Sequence, residues 1–221
     1  MTDSPFDFWH AAEKYMLAYA DENVLSKAVV PDAIATLRAL YTNPSRRYHN
    51  QYHLEFMFRD FEKLFPAEYG FEHRIHAAIL FHNAVYIPGS GSNEERSAAL
   101  AQAMLDPWSS TLDRLILSTK YHRLSGRRDE NIICDLDLMG LAQDSEGYRN
   151  STALIRTEHG AFTEDQWAAG RIDFLKDMLA RPKIYATAEC AEFEYDARNN
   201  MGAELVELLK VKKKETHDLQ S

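Results

Sequence analysis

Apolar residues recur at helical spacing from the start of the chain. Phe8, Ala12, Tyr15, Met16 and Tyr19 mark an amphipathic first helix. Pro31-Asp32 opens a second, Ala33 to Tyr41, which Thr42-Asn43-Pro44-Ser45 breaks. A third carries Leu54, Phe58, Phe61 and Phe65 on one side and stops at Pro66. Glu72 to Tyr86 predicts a central helix, and its broad apolar face predicts burial on more than one side. The flexible Pro88-Gly89-Ser90-Gly91-Ser92 loop leads into an alanine-rich helix, with Asn93 as its expected N-cap and Glu94 and Glu95 complementing its dipole. Thr111 to His122 is helical, Leu124 to Glu130 is a polar loop, and Ile132 to Leu141 sets Asp135 and Asp137 in an apolar run. Ser145 to His159, Glu164 to Leu179 and Ala188 to Lys214 complete the helices. Only Val29-Val30 and Ile132-Ile133 read as alternative short strands. No glycine-rich phosphate loop, βα alternation or repeat interrupts the pattern, so the fold class is all-α.

Composition narrows the options. The chain has 221 residues and 45% hydrophobic residues, enough for a sizeable core in a single domain. The net charge of −9 argues against a general nucleic-acid or anionic-membrane binder and leaves room for a local basic pocket. Lys210, Lys212, Lys213 and Lys214 read as a solvated helix end rather than a nucleic-acid site. Two cysteines, Cys134 and Cys190, have no motif spacing and imply no disulfide framework. Met1 to His10 lacks the pattern of a signal peptide, and no apolar run is long enough to span a bilayer. The expectation is a cytoplasmic protein without a membrane partner.

Candidate chemistry lies in the histidines. Of nine, His49, His53, His73, His76, His82 and His122 crowd between residues 49 and 122. Asn83, Asp135 and Asp137 join them in apolar settings, and polar groups there cost free energy unless they find partners. Imidazole with carboxylate suits a divalent first-row metal. His49 and His53 have the H-x-x-x-H spacing of a zinc protease, but Asn50 stands where the general-base glutamate would be, which discounts that chemistry. The alternative is that His49 bonds locally and His53 is a satisfied helix histidine. Tyr48, Tyr52, Tyr86 and Tyr121 could stack on a base or serve as ordinary core edges.

Five segments in order resemble the HD-domain superfamily of metal-dependent phosphohydrolases. They are Arg47-Tyr48-His49-Asn50-Gln51-Tyr52-His53, Phe81-His82-Asn83-Ala84-Val85-Tyr86, Asn93-Glu94-Glu95-Arg96-Ser97-Ala98, Ser118-Thr119-Lys120-Tyr121-His122 and Asp135-Leu136-Asp137-Leu138. They cover about residues 46–140. Weaker similarity continues through Ile184-Tyr185-Ala186-Thr187 and Ala197-Arg198-Asn199-Asn200. The resemblance implies one HD-like helical bundle over residues 1–221, its metal core at 46–140 and its C-terminal helices, 145–214, packed on that core.

It also implies roles. His53, His82, Asn83 and Asp137 would ligate a divalent ion (Mn, Fe, Co, Ni, Zn or Mg), with Asp135 behind the ligands, as a helix partner or as a catalytic residue. Glu94, with Glu95 as fallback, would position the attacking water, unless both only complement their helix dipole. Arg47, His49, Lys120, His122 and Tyr86 would meet the substrate phosphate or its neighbouring group. The implied activity is hydrolysis of a nucleotide or other small phosphorylated molecule, with no nucleic-acid polymer as partner; a homodimer stays open.

The departure is Asn83, where the family has Asp. An amide keeps an oxygen for a metal but removes one negative charge, which lowers affinity and alters the acidity of bound water. Three readings follow: a replacement that traps a bound state, a natural variant that binds without hydrolysing, or a site that tolerates the amide. The alternative function is therefore a non-catalytic nucleotide- or metabolite-binding regulatory protein on a degenerate scaffold. A plain helical scaffold with satisfied core histidines is the third.

Overall fold

The computed structural model describes residues 7–66, 72–105 and 110–218, with side chains as far as residue 212. Residues 1–6 and the side chains of Lys213 and Lys214 lie outside them. The described residues form helices and contain no strand. The helices are α1 (Phe8–Glu22), α2 (Val30–Tyr41), α3 (Gln51–Leu64), α4 (Glu72–Phe81), α5 (Asn93–Met104), α6 (Ser110–Ser118), α7 (Arg128–Leu138), α8 (Ser145–Glu158), α9 (Glu164–Ala180) and α10 (Glu194–Asp218). Short 3-10 turns at Lys27–Val29, Met139–Ala142 and Ala191–Phe193 precede or follow several of them. Val30 opens α2 and Ile132-Ile133 lie within α7, so neither apolar pair is a strand. None of the described helices is long and apolar enough to cross a membrane.

The chain divides into two compact units, Met1–Asp137 and Leu138–Ser221. In the first, α4 is the hub and packs against α1, α3, α5 and α6. Every residue from Ile75 to Phe81 is buried, as the breadth of its apolar face predicts. A helix wrapped on all sides has no solvent face on which to place polar residues. Asp7 caps α1 by accepting from the amides of Trp9 and His10, and Asn50 caps α3 by accepting from Tyr52. In the second unit α10 packs on α9 and on the turn at 139–142. A capping box between Thr163 and Gln166 starts α9, and Asp144 starts α8 by accepting from the Gly147 amide.

Three expectations change. The central helix ends at Phe81, so His82 and Asn83 sit in the turn that follows rather than in the helix. Asn93 is the first residue of α5, after Ser92, and does not cap it. Its amide instead pairs with the backbone of Ile87 twice, at 3.0 Å in each direction. Finally, the expected Thr111–His122 helix ends at Ser118, and α7 begins at Arg128 inside the expected polar loop.

Candidate metal centre

Three elements of the first unit bring donor atoms together. α3 supplies His53, the turn after α4 supplies His82, and the last turn of α7 supplies Asp137. His53 Nε2 lies 3.3 Å from His82 Nε2 and 3.1 Å from Asp137 Oδ1, and His82 Nε2 lies 3.5 Å from that same oxygen. His53 is 7% exposed and His82 0%. Asp137 and Asp135 are two apart on one helix and so face opposite sides of it. Asp135 is buried but is not a member of the converging group.

A proton count describes what this triangle lacks. His82 Nδ1 lies 2.8 Å from the carbonyl oxygen of Ile79, an acceptor only, so Nδ1 carries the proton and Nε2 presents a lone pair to the site. Burial lowers the pKa of His53 and keeps it neutral, against the opposing pull of Asp137. Burial pushes the Asp137 carboxyl up, yet the electrostatic pull of His82 and the hydrogen bonds from His122 and His53 outweigh it and hold the group well below the usual carboxylate range. In the neutral tautomer of His82 that this bond selects, the three groups share at most one proton, from His53, among their facing atoms. Neutral imidazoles and an ionised carboxylate are the protonation states a divalent cation requires. This buried group could hold a metal ion.

The surroundings fix the ligand directions. His122 Nε2 lies 2.8 Å from Asp137 Oδ2, so the two carboxylate oxygens have separate tasks. His122 reaches it with φ of +46°, a backbone region that bulky L residues rarely adopt. Past His82, Arg46 donates from Nη1 to the Asn83 carbonyl at 2.6 Å and from Nη2 to the Ala84 carbonyl at 2.7 Å. The Ser97 hydroxyl accepts from the Val85 amide at 3.0 Å and lies 3.2 Å from the Val85 carbonyl. Asn93 holds Ile87 as described. The segment 83–87 is thus tied down almost residue by residue.

The remaining candidates fall in different places. Asn83 is 8% exposed, and its side-chain amide is not among the buried polar atoms left without a partner. His49 precedes α3 and therefore does not share a helix face with His53; it stacks on Tyr86 with ring centroids 4.1 Å apart. Its own ring lies 5.8 Å from that of His53, so the stacked pair borders the centre. Lys120 is paired with Glu95, and that bond raises the ammonium pKa and lowers the carboxyl pKa. Glu94 is half-buried, makes no hydrogen bond to the described residues, and adds to the negative field at Lys120. Arg47 is exposed, and its guanidinium makes no bond to the described residues.

The histidine-rich third of the sequence splits in two. His73 pairs with Glu22 at 2.5 Å, and His76 stacks on Tyr15 at 3.7 Å between Phe58 and Phe61. Neither belongs to the converging group. Arg46 is the contributor that sequence reasoning passed over. It adjoins Arg47 in an irregular segment, where no periodicity tells which of the two turns inward. No family model, curated protein or solved structure matches the chain.

Proposed function

We propose that this protein is a metal-dependent phosphohydrolase acting on a nucleotide or another small phosphorylated molecule. The observation that carries the reading is the His53–His82–Asp137 triangle, whose facing lone pairs outnumber its protons. A divalent ion bound there would polarise a phosphoryl oxygen and acidify its bound water. The chain's own groups fit the remaining tasks. His122 orients Asp137, and the amide of Asn83, next to His82, would offer an oxygen or an N–H to whatever enters. Arg47 is an exposed cation suited to a phosphate, and Lys120 can reach one by exchanging Glu95 for it. Glu94 is the carboxylate left to position water. His49 and Tyr86 supply a flat wall against which a base would stack.

The test pairs metal analysis with turnover. The protein purified from metal-supplemented medium is expected to retain a divalent first-row metal. It is expected to hydrolyse p-nitrophenyl phosphate or a member of a nucleotide panel with Mn²⁺, Co²⁺, Ni²⁺, Fe²⁺ or Mg²⁺. Asn83→Asp should raise that rate by restoring one negative charge. Full metal occupancy in both His53→Ala and Asp137→Ala would sink the ligand assignment.

One observation favours a second reading, a nucleotide- or metabolite-binding regulatory protein. With Asn83 the ligand set carries a single formal negative charge, from Asp137, against a doubly charged ion. Nucleotide binding by a chain that turns over no phosphate, with or without Asn83→Asp, would favour that reading over the enzyme.

A further inference from the structure

The turn that carries His82 has a structural problem. α4 ends at Phe81, so the carbonyls beyond it have no intrahelical partner, and Asn83 and Ala84 are both buried. Solvent cannot serve them well. One guanidinium does: Arg46 Nη1 donates to the Asn83 carbonyl at 2.6 Å and Nη2 to the Ala84 carbonyl at 2.7 Å. The same Nη1 also reaches the His49 carbonyl at 3.3 Å, on the segment that leads into α3 and His53. The guanidinium carbon lies 4.8 Å from the centre of the Tyr41 ring and 5.9 Å from that of Tyr86. Arg46 therefore joins two chain segments, each bearing one histidine of the triangle, at the point where both leave regular structure.

We infer that Arg46 is a positioning residue for the metal centre, setting the approach of His82 to His53. The inference rests on the proposed metal site but concerns a residue that touches none of the three donor atoms. Three carbonyls are spanned by one planar fork. Lysine places a single ammonium there and cannot bond all three in the same directions. Methionine leaves two buried carbonyls without donors. In either variant the turn gains freedom, and the distance between the two Nε2 atoms is no longer fixed. The His49–Tyr86 stack, which bridges the same two segments, is expected to loosen with it.

The second unit supplies a control. Arg156 bonds the carbonyls past the end of α8 in the same way, His159 at 2.9 Å and Phe162 at 3.1 Å. The experiment titrates Co²⁺ into the whole chain and its Arg46→Met, Arg46→Lys and Arg156→Met variants, reading affinity and the visible Co²⁺ spectrum. Arg46→Met should bind about 10- to 100-fold more weakly, as when a group that orients a ligand is lost, and with an altered spectrum. Arg46→Lys should fall between it and the parent. Arg156→Met should keep the parent's affinity and spectrum. If Arg46→Met does not fold, the Lys variant decides by the same titration. Parent-like affinity and spectrum in the folded Arg46 variants overturn the positioning role alone. Equal weakening by Arg156→Met also overturns it, because the effect is then one of general stability. A parent that takes up no Co²⁺ overturns the metal reading and the positioning role together.

Discussion

The two units handle buried polar groups in opposite ways. In the second, Arg171 donates to both oxygens of Glu204, at 2.8 and 2.9 Å, and the Tyr148 hydroxyl joins the same carboxylate. Donors match acceptors, and the cluster is closed. In the first, two imidazoles and a carboxylate face one another with too few protons to go round. Burial alone does not separate these cases, since both clusters are out of solvent. The count of donors against acceptors does. A closed set holds a fold together, whereas a deficient one is a group that could hold a metal ion.

The largest expected effect tests the deficient cluster. Asp137→Ala or His82→Ala should weaken Co²⁺ binding by more than about 100-fold, beyond the 10- to 100-fold seen for groups that only orient a ligand. Isothermal titration against the parent measures it. Next comes the closed cluster. Arg171→Met strands the Glu204 carboxylate, and breaking one side of a buried pair costs about 3–5 kcal/mol. Denaturant unfolding should show that loss with the metal affinity unchanged. If Arg171→Met abolished metal binding while Asp137→Ala did not, the contrast between the units would be wrong.

A third prediction concerns pH. His76 is 2% exposed, and burial lowers its pKa to about 3 from 6.5. The unfolded chain therefore takes up a proton between those values and the folded chain does not. Stability present above pH 6.5 is lost as the pH falls toward 3, at up to about 1.4 kcal/mol per unit. Urea unfolding at pH 7 and pH 5 should show the decline, and His76→Phe should flatten it. The smallest effects are at helix caps. Asn50→Ala and Thr163→Ala should each cost about 1 kcal/mol by thermal unfolding. Only Asn50→Ala should also shift Co²⁺ affinity, because Asn50 starts the helix that carries His53.

Much of this was legible in the sequence, and the failures have physical reasons. Period 3.6 located the helices, because each buries one apolar stripe. The end of α4 was hidden because Ala84 and Val85 continue the apolar run past Phe81, and no glycine or proline intervenes before Pro88. A chain buried on every side gives no polar signal when it stops being helical. His53, His82 and Asp137 were readable as a set from their order. The preference for Asp137 over Asp135 comes from the family resemblance, not from helix geometry; the two face opposite sides of one helix, and Asp135 is buried outside the group. Arg46 was not readable, because its work is done on backbone carbonyls. Those carry no sequence identity, so no partner residue points back to it. Asn93 failed differently. Its side chain suits a cap, yet the loop before it offered the backbone of Ile87 first.

The positive φ of His122 has a consequence for engineering. An L residue in that region carries about 1–2 kcal/mol of steric cost that glycine avoids. His122→Gly would remove that cost and, with it, the hydrogen bond that aims Asp137, so the two effects oppose each other in the melting temperature while only the second reaches the metal affinity; a stability screen on this scaffold needs a binding readout beside it.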